Sequence, residues 1–183
     1  MADVQLIREK LGVHPDFPKK GIVFLDLFPI LRDPVAFETL ITHLVHHLTS
    51  YTIPNAAVKK IDVVVGLDAR GFLLGPIIAL RLGAAFVPVR KRGKLPGQCD
   101  TVVYEKEYGA DAFEMQAGAI PEGSNVVVVD DLIATGGSAK AAGDLIAKQG
   151  GKTLEYLFVI GLPFLSGHEK LDAPAYSIVQ SDE

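Results

Sequence analysis

Residues 126–140 read VVVVDDLIATGGSAK, an apolar run that ends in two adjacent aspartates and passes at once into a small-residue loop with two glycines. Four consecutive valines suit a strand buried on both faces, and helical spacing resumes after the loop. Glycine loops that open helices receive anions, because free backbone N–H groups and the positive end of the helix dipole point at whatever sits there. Two carboxylates repel such a guest. The stretch therefore suggests a ligand with two chemically different ends, one anionic and one able to donate hydrogen bonds.

The same alternation continues along the chain. DVVVG (62–66), AFVPV (85–89) and LEYLFVI (154–160) read as further strands, and 71–82 and 138–149 as helices between them. The expected fold class is α/β, a doubly wound, mainly parallel sheet flanked by helices. In such sheets ligands sit beyond the carboxyl ends of the strands, where 66–71 and 130–137 both fall. Between Leu11 and Pro34, Pro15, Pro18, Pro29, Pro34, Gly12 and Gly21 permit only short or irregular elements, so about 1–34 is expected to form an N-terminal cap. Residues 35–50 carry Phe37, Leu40, Ile41, Leu44, Val45 and Leu48 at helical spacing. His43, His46 and His47 lie opposite that stripe. They read as a solvated polar face rather than a metal site, since no cysteine or carboxylate of clear ligand spacing joins them.

Length and composition narrow the function classes. A chain of 183 residues is most simply one domain, with a core that needs no metal or disulfide staple. A formal charge of −4 gives no global attraction to a nucleic acid polymer or an anionic membrane, so any basic site must be local. One such run is present, Arg90, Lys91, Arg92 and Lys94, spaced by Gly93, Pro96 and Gly97. The single cysteine, Cys99, makes no internal disulfide, the first residues lack the secretory pattern, and the apolar stretch 63–89 is interrupted by Asp68, Arg70 and Arg81. A cytoplasmic protein is expected.

Commoner phosphate motifs fail. GKT at 151–153 has Ile146 where a Walker loop needs its first glycine, and G-x-G-x-x-G is absent. What remains is a cradle of N–H groups from Ala134, Thr135, Gly136, Gly137 and Ser138, with Thr135 and Ser138 hydroxyls, for a monophosphate. Asp130 and Asp131 then reach hydroxyls of an attached sugar. A tight turn with a helix N-cap also accounts for Gly-Gly-Ser, but not for two carboxylates at a strand terminus.

At these residues the chain resembles the type I phosphoribosyltransferases, whose phosphoribosyl-diphosphate signature is similar to VVVVDDLIATGGSAK. DFPKKGIVFLD (16–26), GLDARGFLLGP (66–76), VRKRGKLPG (89–97) and YEKEYG (104–109) resemble, in the same order, the adenine-using branch of that family, across about residues 14–172. The resemblance implies conversion of adenine and 5-phosphoribosyl 1-diphosphate to AMP and diphosphate in a homodimer, with magnesium held mainly through substrate and water. It implies that Asp130 and Asp131 contact ribose and that 134–138 hold the 5-phosphate. Asp68, Ala69, Arg70 and Gly71 match the diphosphate loop, joined by Arg90, Lys91 and Lys94. Val23, Phe24 and Leu25 match base-binding positions. About 98–113 resembles a mobile catalytic loop in which Glu107 is the general acid/base and Tyr108 its partner, with Arg70 as a third catalytic group. Leu25 stands where the family commonly has arginine, Asp68 where it commonly has glutamate, and Gly161 where an acid is frequent. The alternatives are an enzyme for a 6-oxopurine such as xanthine and a non-catalytic nucleotide sensor of the same fold.

Overall fold

A computed structural model describes residues 2–18, 20–106 and 109–181. Its centre is a seven-stranded sheet of β3 (Val63–Leu67), β4 (Ala85–Lys91), β5 (Cys99–Lys106), β6 (Gly109–Gln116), β7 (Asn125–Ile133), β8 (Lys152–Gly161) and β9 (Ala175–Gln180), in the order β5-β6-β4-β3-β7-β8-β9. The pairs β3–β4, β3–β7, β7–β8 and β8–β9 are parallel; β4–β6 and β5–β6 are antiparallel. From β3 the chain steps outward to β4, and from β7 it steps the other way. The strand order therefore reverses between β3 and β7, the point at which such sheets bind ligands.

The apolar runs pack as strands buried on both faces. Val64, Val127, Val129 and Leu157 join one core with Leu74 and Ile78 of α5 (Gly71–Leu82) and with the N-terminal helices. Val63, Val65, Val126, Val128 and Phe158 join a second core under Ala142, Leu145 and Ile146 of α6 (Gly137–Lys148). The N-terminal elements are α1 (Ala2–Lys10), a two-stranded sheet of β1 (Gly12–Pro15) and β2 (Val23–Asp26), and α2 (Phe28–Leu31). The prolines and glycines hold the last three to four residues each. Helix α3 (Pro34–His47) begins where Asp33 accepts from the Val35 and Ala36 N–H groups, a side-chain cap placed ahead of Pro34 at the first helical position. It runs on through a wider turn, Leu48–Thr52, into a three-residue α4 (Ile53–Asn55).

Two readings are corrected. His43 and His47 are not a solvated face: His43 Nδ1 lies 2.5 Å from Asp3 Oδ2 and its Nε2 2.6 Å from the Tyr176 hydroxyl, while His47 Nε2 lies 3.0 Å from Glu155 and its ring stacks 3.7 Å from Tyr176. Only His46 of the three is exposed. The apolar stripe marks one buried side of α3, but α1 and residues from β8 and β9 cover a second side through polar contacts. The stretch 98–113, expected as a loop, falls largely within β5 and β6, paired from Cys99↔Gln116 to Lys106↔Gly109. Phe113 and Met115 bury on the second core and anchor this hairpin. Charged residues interleaved with them hide the strand pattern.

Candidate active site

The loops after β3 and β7 meet at the switch point. After β3 come Asp68, Ala69 and Arg70, with a cis peptide between Asp68 and Ala69, and then Gly71 opens α5. A Cβ on Gly71 would lie 2.5 Å from the Val129 carbonyl oxygen, so the helix start can lie this close to β7 only with glycine there. Arg70 crosses to the neighbouring loop and donates from Nε to Asp131, whose side chain is buried. Asp68 accepts from Arg90 Nε at 2.8 Å. Arg90 also donates to the Lys94 carbonyl at 3.2 Å and stacks over Phe72, 5.8 Å from the ring centroid. The basic run is thus divided. Arg90 turns to the loop, whereas Lys91 and Arg92 face Asp111 and Glu114 of the hairpin at 3.7 and 3.9 Å.

Beyond β7 the chain forms a cavity of about 170 Å³ lined by Asp130, Leu132, Ile133, residues 134–139 and Phe158. Gly136 has φ +77°, a left-handed conformation that suits glycine, and α6 starts immediately after it. Among the described residues no side chain caps α6, which leaves the first N–H groups of the helix available to an anion at that end. Burial, reinforced by the adjacent Asp131 carboxylate, holds the Asp130 pKa well above the ordinary carboxylate range.

A second cavity, about 340 Å³, is lined by His14, Phe17, Phe24, Asp26, Phe28 and Arg70. In the β1–β2 pair His14 faces Phe24 and Gly12 faces Asp26, so these four share one face. Phe17 meets Phe24 edge-on, with ring centroids 5.3 Å apart. Val23 and Leu25 point to the opposite face, and Leu25 packs on the first core. Of the three residues expected to bind base, Phe24 alone brings its side chain to this cavity. His14, Phe17, Asp26 and Phe28 were not among the expected residues. Asp26 follows from strand alternation with Phe24, but nothing in the local sequence signals His14. Arg70 touches this cavity and the acid pair together. Glu107 and Tyr108 lie outside the described residues.

Residues 37–181 match the model of the phosphoribosyl transferase domain family. Adenine phosphoribosyltransferase of Yarrowia lipolytica is 53% identical over 97% of this chain and 95% of its own length, and adenine phosphoribosyltransferase 1 of Saccharomyces cerevisiae is 52% identical over 95% and 92%. A crystal structure of the Saccharomyces cerevisiae enzyme, complexed with an imino-altritol bisphosphate and adenine, superposes with a TM-score of 0.91 at 50% identity, covering 97% of this chain and 99% of that one. That of the Trypanosoma brucei enzyme, in complex with AMP, pyrophosphate and ribose-5-phosphate, gives 0.83 at 26% identity, covering 100% and 83%.

Proposed function

The chain belongs to the adenine phosphoribosyltransferase family, and from that premise we infer that its switch-point cleft joins adenine to the phosphoribosyl group of 5-phosphoribosyl 1-diphosphate, giving AMP and diphosphate. The observation that carries the assignment to this cleft is Arg70, which lines the aromatic cavity and bonds to one of the two adjacent acids beside the anion cradle. Base, ribose and 5-phosphate then have three adjoining places in the order in which AMP joins them.

In this reading the 5-phosphate takes the N–H groups of 134–138, the ribose hydroxyls donate to Asp130 and Asp131, and diphosphate lies along Asp68–Gly71 with Arg90 behind it. Adenine packs on Phe24, and backbone groups around Val23 meet its amino edge. The C1–O bond to diphosphate breaks with the bonding pair leaving on oxygen. N9 of adenine supplies the pair for the new C1–N bond. The ribose carries positive charge in between, and nearby carboxylates favour it electrostatically. Glu107, assigned by resemblance, manages the N9 proton, with Tyr108 beside it, and closing the hairpin over the site keeps water from the ribose.

Among the described residues no group of three or more His, Cys, Asp or Glu is arranged to hold a metal. Two carboxylates beside a diphosphate site suit magnesium, which keeps much of its water shell and takes few protein ligands. When bound it neutralises charge on the departing diphosphate. The family resemblance implies a homodimer. The single free thiol is compatible with a reducing cytoplasm.

The test is turnover of the purified protein with 5-phosphoribosyl 1-diphosphate and each of adenine, hypoxanthine, guanine and xanthine, with nucleotides separated by chromatography. AMP formation should dominate. A faster 6-oxopurine, or no turnover with any base, would overturn the reading.

A further inference from the structure

After β8 the chain turns back beneath the cradle in two short 3₁₀ turns, Pro163–Leu165 and Gly167–Lys170. Leu162 N–H bonds to the Ile133 carbonyl at 3.0 Å and ties the start of this segment to the end of β7. Gly167 is buried against the cradle backbone. A Cβ there would fall 2.7 Å from Gly136 N and 2.9 Å from the Thr135 carbonyl carbon, and closer still to the Ala134 carbonyl oxygen. Reciprocally, a Cβ on Gly136 would fall 2.8 Å from the Gly167 carbonyl carbon. Two backbones therefore meet with no side chain between them.

The two glycines differ in what requires them. Gly136 has a left-handed φ; Gly167 does not, so an L residue could adopt its backbone. Only the contact demands glycine at 167. Gly167 does not line the cradle cavity; it lies among the residues of a separate small cavity that includes Ala134 and His168. It stands behind the loop rather than at the ligand.

We propose that Gly167 is a positioning residue for the 5-phosphate, a backbone stop that fixes the plane of 134–136 so that the cradle N–H groups converge on one anion. This rests on the cradle reading given above. A loop held only at its ends has to be ordered by the anion itself, whereas one pressed against a fixed backbone is ordered beforehand and loses less on binding. Overpacking by one methyl forces backbone to shift, since the facing atoms belong to peptide groups rather than to a pliable side chain.

Gly167→Ala should weaken binding of AMP and of ribose 5-phosphate by about tenfold or more. Adenosine, which has the same base and ribose but no phosphate, should change by less than about twofold, a difference too small to register against tenfold. KM for 5-phosphoribosyl 1-diphosphate should rise while kcat at saturation holds. Glu169→Ala, on the exposed side of the same turn, should bind AMP as wild type does. Wild-type AMP affinity in a folded Gly167→Ala protein, or equal losses for AMP and adenosine, would overturn the proposal. Wild-type protein that fails to bind AMP at all would instead overturn the underlying function. If Gly167→Ala does not fold, amide exchange on wild type decides. Inorganic phosphate should slow exchange at 166–170 together with 134–138, and protection confined to 134–138 would sink the idea.

Discussion

Arg70 donates from Nε to Asp131 across the gap between the loops after β3 and β7, so a single side chain joins the aromatic cavity to the acid pair. The pair should act as a unit. Arg70→Lys keeps the charge but loses the planar fork, and Asp131→Asn keeps the shape but loses the charge-assisted bond. Each should lower kcat/KM for 5-phosphoribosyl 1-diphosphate by about tenfold or more, and the double variant should lose clearly less than the product of the two. Independent, multiplicative losses would separate the residues and remove the link from function.

Gly71 meets β7 backbone to backbone, and Gly71→Ala places a methyl group 2.5 Å from the Val129 carbonyl oxygen. Neither strand nor helix start can rotate this away. A destabilisation of about 1–3 kcal/mol is expected, which at this chain length lowers Tm by about 2–4 °C per kcal/mol. Thermal unfolding followed by circular dichroism checks it, and an unchanged Tm would show that α5 and β7 part without cost.

The parallel core and the loop that opens α6 were legible because their signals are local: runs of valine, a change of period, and glycines after paired acids. Strands β5 and β6 were not, because Phe113 and Met115 alternate with charged neighbours and a loop-like family motif overlies them. Leu25 shows a different limit. Its place in a matching motif suggested contact with base, but β2 alternates, and Phe24 and Leu25 cannot face the same cavity. The histidines of α3 fail for a third reason, since the residues that bury them, Asp3, Glu155 and Tyr176, are remote in sequence.

Asp3 lies on α1, and the hydrogen bond from His43 holds its pKa below the ordinary carboxylate value. A folded pKa lower than the unfolded one adds stability that is present above the unfolded value and is lost as pH falls through the folded one. Asp3→Asn should therefore melt a few degrees below wild type at pH 7, with the gap closing below about pH 4. Melting curves from pH 3 to 8 for both proteins measure it. A gap that persists unchanged at pH 3 would assign the loss to packing instead.

Glu107 carries the proton-transfer assignment. Glu107→Ala should leave Tm nearly unchanged and slow the chemical step by about 10²- to 10⁴-fold, the range for a positioned acid or base. Glu105→Ala, two residues away, should be much milder. Single-turnover rates are required, since slow product release masks a chemical defect in steady state. Near-wild-type chemistry in the Glu107 variant, or a larger loss in the Glu105 variant, would shift the assignment.

Asp130 predicts two opposite responses to pH. Burial first, and Asp131 second, raise its folded pKa above the unfolded value of about 3.9. Its contribution to stability is therefore complete below about pH 4 and is lost as pH rises through the folded value. Asp130→Asn removes that loss, so the variant should gain Tm relative to wild type as pH rises above about 4. Ligand binding runs the other way, because a ribose hydroxyl donates best to the ionised carboxylate. Wild-type affinity for AMP should rise through the same window, more steeply than that of Asp130→Asn. The phosphate of AMP titrates equally with both proteins, so the difference between the two curves isolates Asp130. Calorimetric titrations across pH 4 to 8 provide the affinities. Parallel binding curves would show that the ribose does not meet this carboxylate, even if the predicted Tm difference appeared.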